Sequence, residues 1–134
     1  MQVKISSDKI IVNKPVKVMY SFLSDFRNFE KLMPEQVVNW IADKLSCSFT
    51  IRNMGDVNLH IAETESDARV HIKSAGKTPF DFDLIARMAP SGDDATEVHF
   101  EMNADMPPMI LMMAKKPLQN LVNHMVHKVK EHHS

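Results

Sequence analysis

From Gln36 onward the apolar residues recur at every second position, and they do so through six successive runs. Val38, Trp40 and Ala42 form the first, although Val37 and Ile41 leave its facing open. Cys47, Phe49 and Ile51 follow, then Val57, Leu59 and Ile61, then Val70 and Ile72. Phe80, Phe82, Leu84, Ala86 and Met88 make the fifth run, and Val98, Phe100, Met102, Ala104 and Met106 the sixth. A period of two places alternate side chains on one face of a strand. Turn-forming clusters separate the runs: Asp43 to Ser46, Asn53-Met54-Gly55-Asp56, Ser66-Asp67, Lys77-Thr78-Pro79 and Pro90 to Asp94. Short connections between alternating strands predict an antiparallel meander with one buried face. Asp81, Asp83, Arg87, Glu97, His99, Glu101 and Asn103 occupy the intervening positions of the last two runs, which makes the other face a solvated one.

Helical spacing appears only at the two ends of this series. Pro15 suits the opening of a short helix carrying Val18, Met19, Phe22 and Leu23. Asp25 reads as the cap of a second, carrying Phe26, Phe29 and Leu32 and ended by Pro34. Before them, Val3, Ile5 and Ser7 begin a first strand that continues irregularly to Val12. After the last strand, Pro107 and Pro108 open a long helix. On it Leu121, Val122, Met125 and Val129 fall within about 60° of Leu118 at 100° per residue, so one stripe packs on the sheet. Pro117 lies inside this pattern and is expected to kink the helix or split it. The turn before it, Met109 to Met113, is apolar nearly all round and needs a cavity or a partner beside it.

The prediction is therefore an α+β chain. A seven-stranded curved antiparallel sheet wraps a long C-terminal helix, with two short helices between strands 1 and 2. A length of 134 residues suits one domain, 1–134, able to bury a core without staples. The charged fraction is 25% and the net charge −1, with no basic stripe, which argues against nucleic acid as a partner. No apolar run is long enough to cross a bilayer, so no integral membrane segment is expected. Cys47 is the only cysteine and the N-terminus has no apolar leader, which together predict a cytoplasmic protein with Cys47 as a small buried residue.

The same residues resemble those of the helix-grip superfamily known as SRPBCC. That superfamily includes START lipid-transfer domains, birch-pollen allergens and bacterial polyketide cyclases. The similarity lies in the opening from Pro15 to Asn28, with its Leu23-Ser24-Asp25 step, in Leu32-Met33-Pro34, and in Lys116-Pro117-Leu118 on the last helix. The glycine-rich loop that many members carry is reduced here to Asn53-Met54-Gly55-Asp56, so no headgroup role transfers to it. The resemblance implies a cavity between the sheet and the last helix. A shared fold does not by itself give a function.

Seven histidines invite a metal. In a hairpin turning at Ser66-Asp67, however, His71 should face Glu63 and His60 should face Ser74, out of reach of each other. His124 and His127 lie off the buried stripe. No metal and no cofactor are expected. The carboxylates of Asp81, Asp83, Glu97, Glu101 and Asp105 alternate outward, toward Lys73, Arg87 and His99. Tyr20, Asp25, Arg27 and Asn28 are the polar groups placed nearest one end of the cavity, with capping as the plainer role for Asp25. No catalytic residue is assigned. Ser74 is the main polar residue expected to point inward.

The apolar set that remains is the candidate ligand site: Trp40, Phe49, Phe80, Phe82, Met88, Phe100, Met102, Met106, Met109 and Met113. Eleven methionines in the chain supply flexible side chains for an adaptable apolar site. The function expected is binding of a small hydrophobic or lipid-like molecule. One alternative is a cyclase or dehydratase of polyketide-like substrates. Another is a protein-interaction domain that uses the Met109–Met113 surface, for example in a homodimer.

Overall fold

A computed structural model describes residues 1–76 and 80–133. Strands β1 (Gln2–Ser6) and β2 (Ile10–Val12) precede helix α1 (Val16–Leu23) and a 3₁₀ helix (Phe26–Leu32). Six strands follow: β3 (Val37–Ala42), β4 (Ser46–Ile51), β5 (Gly55–Glu65), β6 (Arg69–Ala75), β7 (Asp81–Pro90) and β8 (Thr96–Asp105). Helix α2 (Pro108–His132) closes the chain. The strands form one antiparallel sheet in the order β1-β8-β7-β6-β5-β4-β3, with β2 also paired to β8.

Seven strands become eight because the first one is interrupted. At the break, the Ser7 amide donates to the Phe100 carbonyl at 2.8 Å, and the Ser7 hydroxyl accepts from the Phe100 amide at 2.8 Å. The side chain thus replaces a main-chain acceptor, and β8 keeps its donor satisfied while the first strand changes course. In the β5–β6 hairpin Glu63 pairs with His71 as expected. The ladder then shifts between Ile61 and Glu63, which sets His60 opposite Lys73 instead of Ser74. The turn expected at Lys77-Thr78-Pro79 lies outside the described residues.

The two short helical segments pack their apolar sides inward. Met19 and Leu23 of α1, with Phe26, Phe29 and Leu32 of the 3₁₀ helix, are fully buried. Pro15 precedes α1 as its cap instead of occupying its first turn, and its carbonyl accepts from the Val18 and Met19 amides. The Asp25 carboxylate accepts from the Arg27 amide at 3.0 Å, which caps the 3₁₀ helix.

Helix α2 packs on β8, β1, β2 and the 3₁₀ helix. Its buried face is Ala114, Leu118, Val122, Met125, Val126 and Val129, with Leu121 half-buried beside it. Pro117 lies inside one uninterrupted helix, so the expected split does not occur. Proline has no amide for the Met113 carbonyl. Residues 115 to 117 and Met113 are exposed, so solvent can serve that carbonyl at little cost.

Candidate functional site

Pleat and helical period together bring one apolar surface of the sheet against one apolar stripe of α2. Phe49 and Ile51 on β4, Val57 and Leu59 on β5, and Phe82 and Leu84 on β7 are pairs two residues apart, so each pair presents both members to the same side. Met102 of β8 and Phe80 extend that surface. Leu118, Leu121 and Met125 face it from α2, Phe29 and Met33 close one flank, and Met54 enters from the β4–β5 turn. These side chains enclose a cavity with a wholly apolar wall. All the space between atoms in this region, including its open side, amounts to about 570 Å³. The space that the centre of a water-sized sphere can occupy is only about 30 Å³, and this smaller figure governs what fits without movement. Met33, Ile51, Met54, Phe82 and Leu121 are half-buried, so the cavity opens on their side.

This arrangement occurs in solved structures of distant sequence. A conserved protein from Geobacillus kaustophilus matches with a TM-score of 0.74 at 11% identity, over 98% of this chain and 94% of that one. A START superfamily protein from Mycobacterium smegmatis matches with a TM-score of 0.72 at 12% identity, over 97% and 96%. Norcoclaurine synthase from Thalictrum flavum, solved in complex with dopamine and hydroxybenzaldehyde, matches with a TM-score of 0.68 at 12% identity, over 100% and 90%. The fold, an antiparallel sheet gripping a long C-terminal helix, is shared with these structures. No protein-family model and no curated protein matches the chain.

Within the helix grip, the ten apolar residues singled out from the sequence separate into four groups. Phe49, Phe80, Phe82 and Met102 border the cavity. Trp40, on the edge strand β3, does not border the cavity but stacks on Phe49 with ring centroids 5.0 Å apart and planes 20° from parallel. Met88, Phe100 and Met106 are buried in the core away from the cavity wall. Met109 and Met113 are 76% and 75% exposed and, with Met112, form an apolar surface on the first turns of α2. The wall residues missing from that set are on the same alternating runs and helical stripe, except Phe29, Met33 and Met54. Met54 had no signal beyond its place in a turn.

Of the polar groups considered near the cavity, Asp25, Arg27, Asn28 and Ser74 have structural partners. Arg27 forks onto Asp25, Nε to Oδ1 at 3.0 Å and Nη2 to Oδ2 at 2.7 Å, and the Arg27 hydrogen bond holds the Asp25 carboxyl below the usual range. Asn28 Nδ2 donates to the Phe22 carbonyl at 3.0 Å. Ser74 Oγ accepts from the Phe82 amide at 3.2 Å. His127 Nε2 lies 2.9 Å from Asp8 Oδ2. Burial pushes the Cys47 thiol up to about 12, which makes it a poor nucleophile. Among the described residues, no group of three or more His, Cys, Asp or Glu side chains could hold a metal ion. No helix among them is long and apolar enough to cross a membrane.

A second concavity, about 270 Å³, lies on the polar face of the sheet between Glu65, Arg69, Arg87, Glu97 and His99. Glu65, Arg69, Arg87 and His99 are held in pairs. Arg87 Nε lies 3.0 Å and His99 Nε2 3.2 Å from Glu101, while Arg69 Nε lies 3.3 Å from Glu65. Burial pushes the Glu101 carboxyl up, but hydrogen bonds from Arg87 and His99 and the charges of Arg87 and Lys4 outweigh it and hold the group below its usual value. Asp83 takes His71 at 3.1 Å, although Lys73 stands opposite it in the ladder. This face is a solvated ion-pair network.

Proposed function

We propose that this chain binds a small hydrophobic molecule in the cavity between the sheet and α2. The observation that carries the reading is the wall, which is apolar on every side and is shared by four strands, two helical segments and a turn. Each 100 Å² of apolar ligand surface buried there contributes about 2.5 kcal/mol. Sites for drug-sized ligands run from about 300 to 1,000 Å³. A ligand of that size therefore enters by displacing side chains. Met33, Met54, Met102 and Met125 are the wall residues best able to yield, because an unbranched thioether changes rotamer cheaply. Among the described residues the wall presents no acid or base, so the reading stops at binding and assigns no reaction.

The test is a titration with N-phenyl-1-naphthylamine, a neutral apolar dye, on the native chain and on Leu121→Trp. Leu121 is half-buried on the open side, so a larger ring there covers the entrance without overfilling the core. Saturable dye binding that the variant loses at a near-unchanged melting temperature supports the reading. Equal binding by both chains contradicts it.

A second reading has its own observation. Met109, Met112 and Met113 are 76%, 87% and 75% exposed on adjacent turns of α2, an apolar surface of the kind that serves as a protein interface. Concentration-dependent association that Met112→Glu abolishes would support it.

A further inference from the structure

Trp40 is the only tryptophan in the chain. Its indole Nε1–H is buried, and no acceptor reaches it among the described residues. Buried donors in folded proteins are nearly always paired, so each exception calls for a cause. The backbone around Trp40 is also unusual. The β3–β4 ladder shifts register between Val38 and Ile41, and Asn39, inside the shift, has φ of 59°. A bulge of this kind re-aims a side chain, and left-handed backbone in a residue other than glycine is often kept where it serves a site. Asn39 is tied down in turn: its Nδ2 lies 3.5 Å from Thr50 Oγ1, which donates to Asp56 at 2.7 Å. The bulge leaves the indole on the edge strand β3, stacked on Phe49, which borders the cavity.

We propose that Trp40 determines ligand class: its Nε1–H donates to a neutral oxygen acceptor, a carbonyl or an ether, on an otherwise apolar ligand that enlarges the cavity at Phe49. This inference rests on the cavity reading above and narrows it. A carboxylate is disfavoured because no cation borders the wall among the described residues, and an unpaired buried charge is far more costly than a buried carbonyl. The class is therefore ketones, aldehydes, esters or ethers, and not free fatty acids.

Acetophenone and cumene have nearly the same shape and differ in one oxygen, which makes them the matched probes, with benzoate as the charged control. In a site without a donor, acetophenone binds more weakly than cumene because its carbonyl must leave water. With the indole donor it binds about threefold to tenfold more tightly. The ¹⁵N spectrum contains a single indole N–H resonance, which should move downfield with acetophenone and not with cumene. In Trp40→Phe, which keeps a ring against Phe49, the acetophenone-to-cumene affinity ratio should fall below one. Cumene binding more tightly to the native chain with the indole resonance unmoved overturns the role of Trp40 and leaves the cavity reading standing. Tighter binding of benzoate overturns the neutral class. No binding by any of the three overturns both. If Trp40→Phe fails to fold, the native indole resonance decides alone.

Discussion

Truncating Leu118 tests whether the space beneath α2 is a site or only a packing gap. Leu118 is 2% exposed, sits on the sheet-facing stripe of the helix and borders the cavity. Leucine-to-alanine changes in cores cost about 2–5 kcal/mol, according to how many contacts are lost and how far the site collapses. One side of Leu118 already faces free space, so it has fewer dispersion contacts to lose, and the lower part of that range applies, about 2–3 kcal/mol. With an unfolding entropy near 2.1 cal/mol/K per residue, a chain of this length should lose roughly 7–11 °C in melting temperature. The enlarged cavity then takes cumene. At ten times its dissociation constant the ligand restores about 1.4 kcal/mol by mass action, or roughly 5 °C. The assay is thermal melting by circular dichroism with and without cumene. Val126→Ala is the control, because Val126 is fully buried on the same helix but does not border the cavity. It should lose stability and, at the same cumene concentration, recover less, because its cavity is no larger than that of the native chain. Equal recovery in both variants, or none in Leu118→Ala, would refute the reasoning.

Two further outcomes follow from local chemistry. Pro117→Ala should stabilise the chain by about 1–3 kcal/mol in urea denaturation, because an alanine amide restores the donor missing beneath the Met113 carbonyl and removes the ring clash; unchanged or lower stability would mean that a bend at Pro117 is needed for packing. Glu101 has a folded pKa below its usual 4.5, so its stabilising contribution is present at neutral pH and is lost as the pH falls through the lowered value. The stability gap between the native chain and Glu101→Gln, on the order of 1 kcal/mol at pH 7, should close on acidification; a gap that stays constant down to pH 3 would contradict the pairing with Arg87 and His99.

The architecture was legible because the two periods that specify it do not overlap. Alternation through β4 to β8 and a helical stripe from Leu118 to Val129 each survive without any tertiary information. What was not legible depends on single residues that break a period. Ser7 interrupts the first strand by substituting its hydroxyl for a carbonyl, and nothing in a run of Val3, Ile5 and Ser7 signals that. The bulge at Asn39 puts Val37, and not Val38, on the core side with Trp40 and Ala42, and a strict alternation misses it. The methionines from Met102 to Met113 looked like one lining because they are close in sequence. The period changes at Pro107, so Met102 borders the cavity, Met106 enters the core, and Met109 and Met113 turn outward. Ala104, which a reading of alternate positions would treat as facing the cavity, is buried opposite Phe82 in the β7–β8 ladder and is not part of the wall.

The methionines also provide the most direct test of binding. Of the eleven, Met33, Met54, Met102 and Met125 border the cavity, and the others lie in the core, at the N-terminus or on the exposed turn of α2. The measurement is a titration of ¹³C-methyl-methionine-labelled protein with acetophenone, followed through the methyl resonances. A ligand seated between sheet and helix shifts the four cavity methyls and leaves Met19, Met109, Met112 and Met113 in place. Shifts confined to Met109, Met112 and Met113 would put the binding on the surface and contradict the cavity as the functional site.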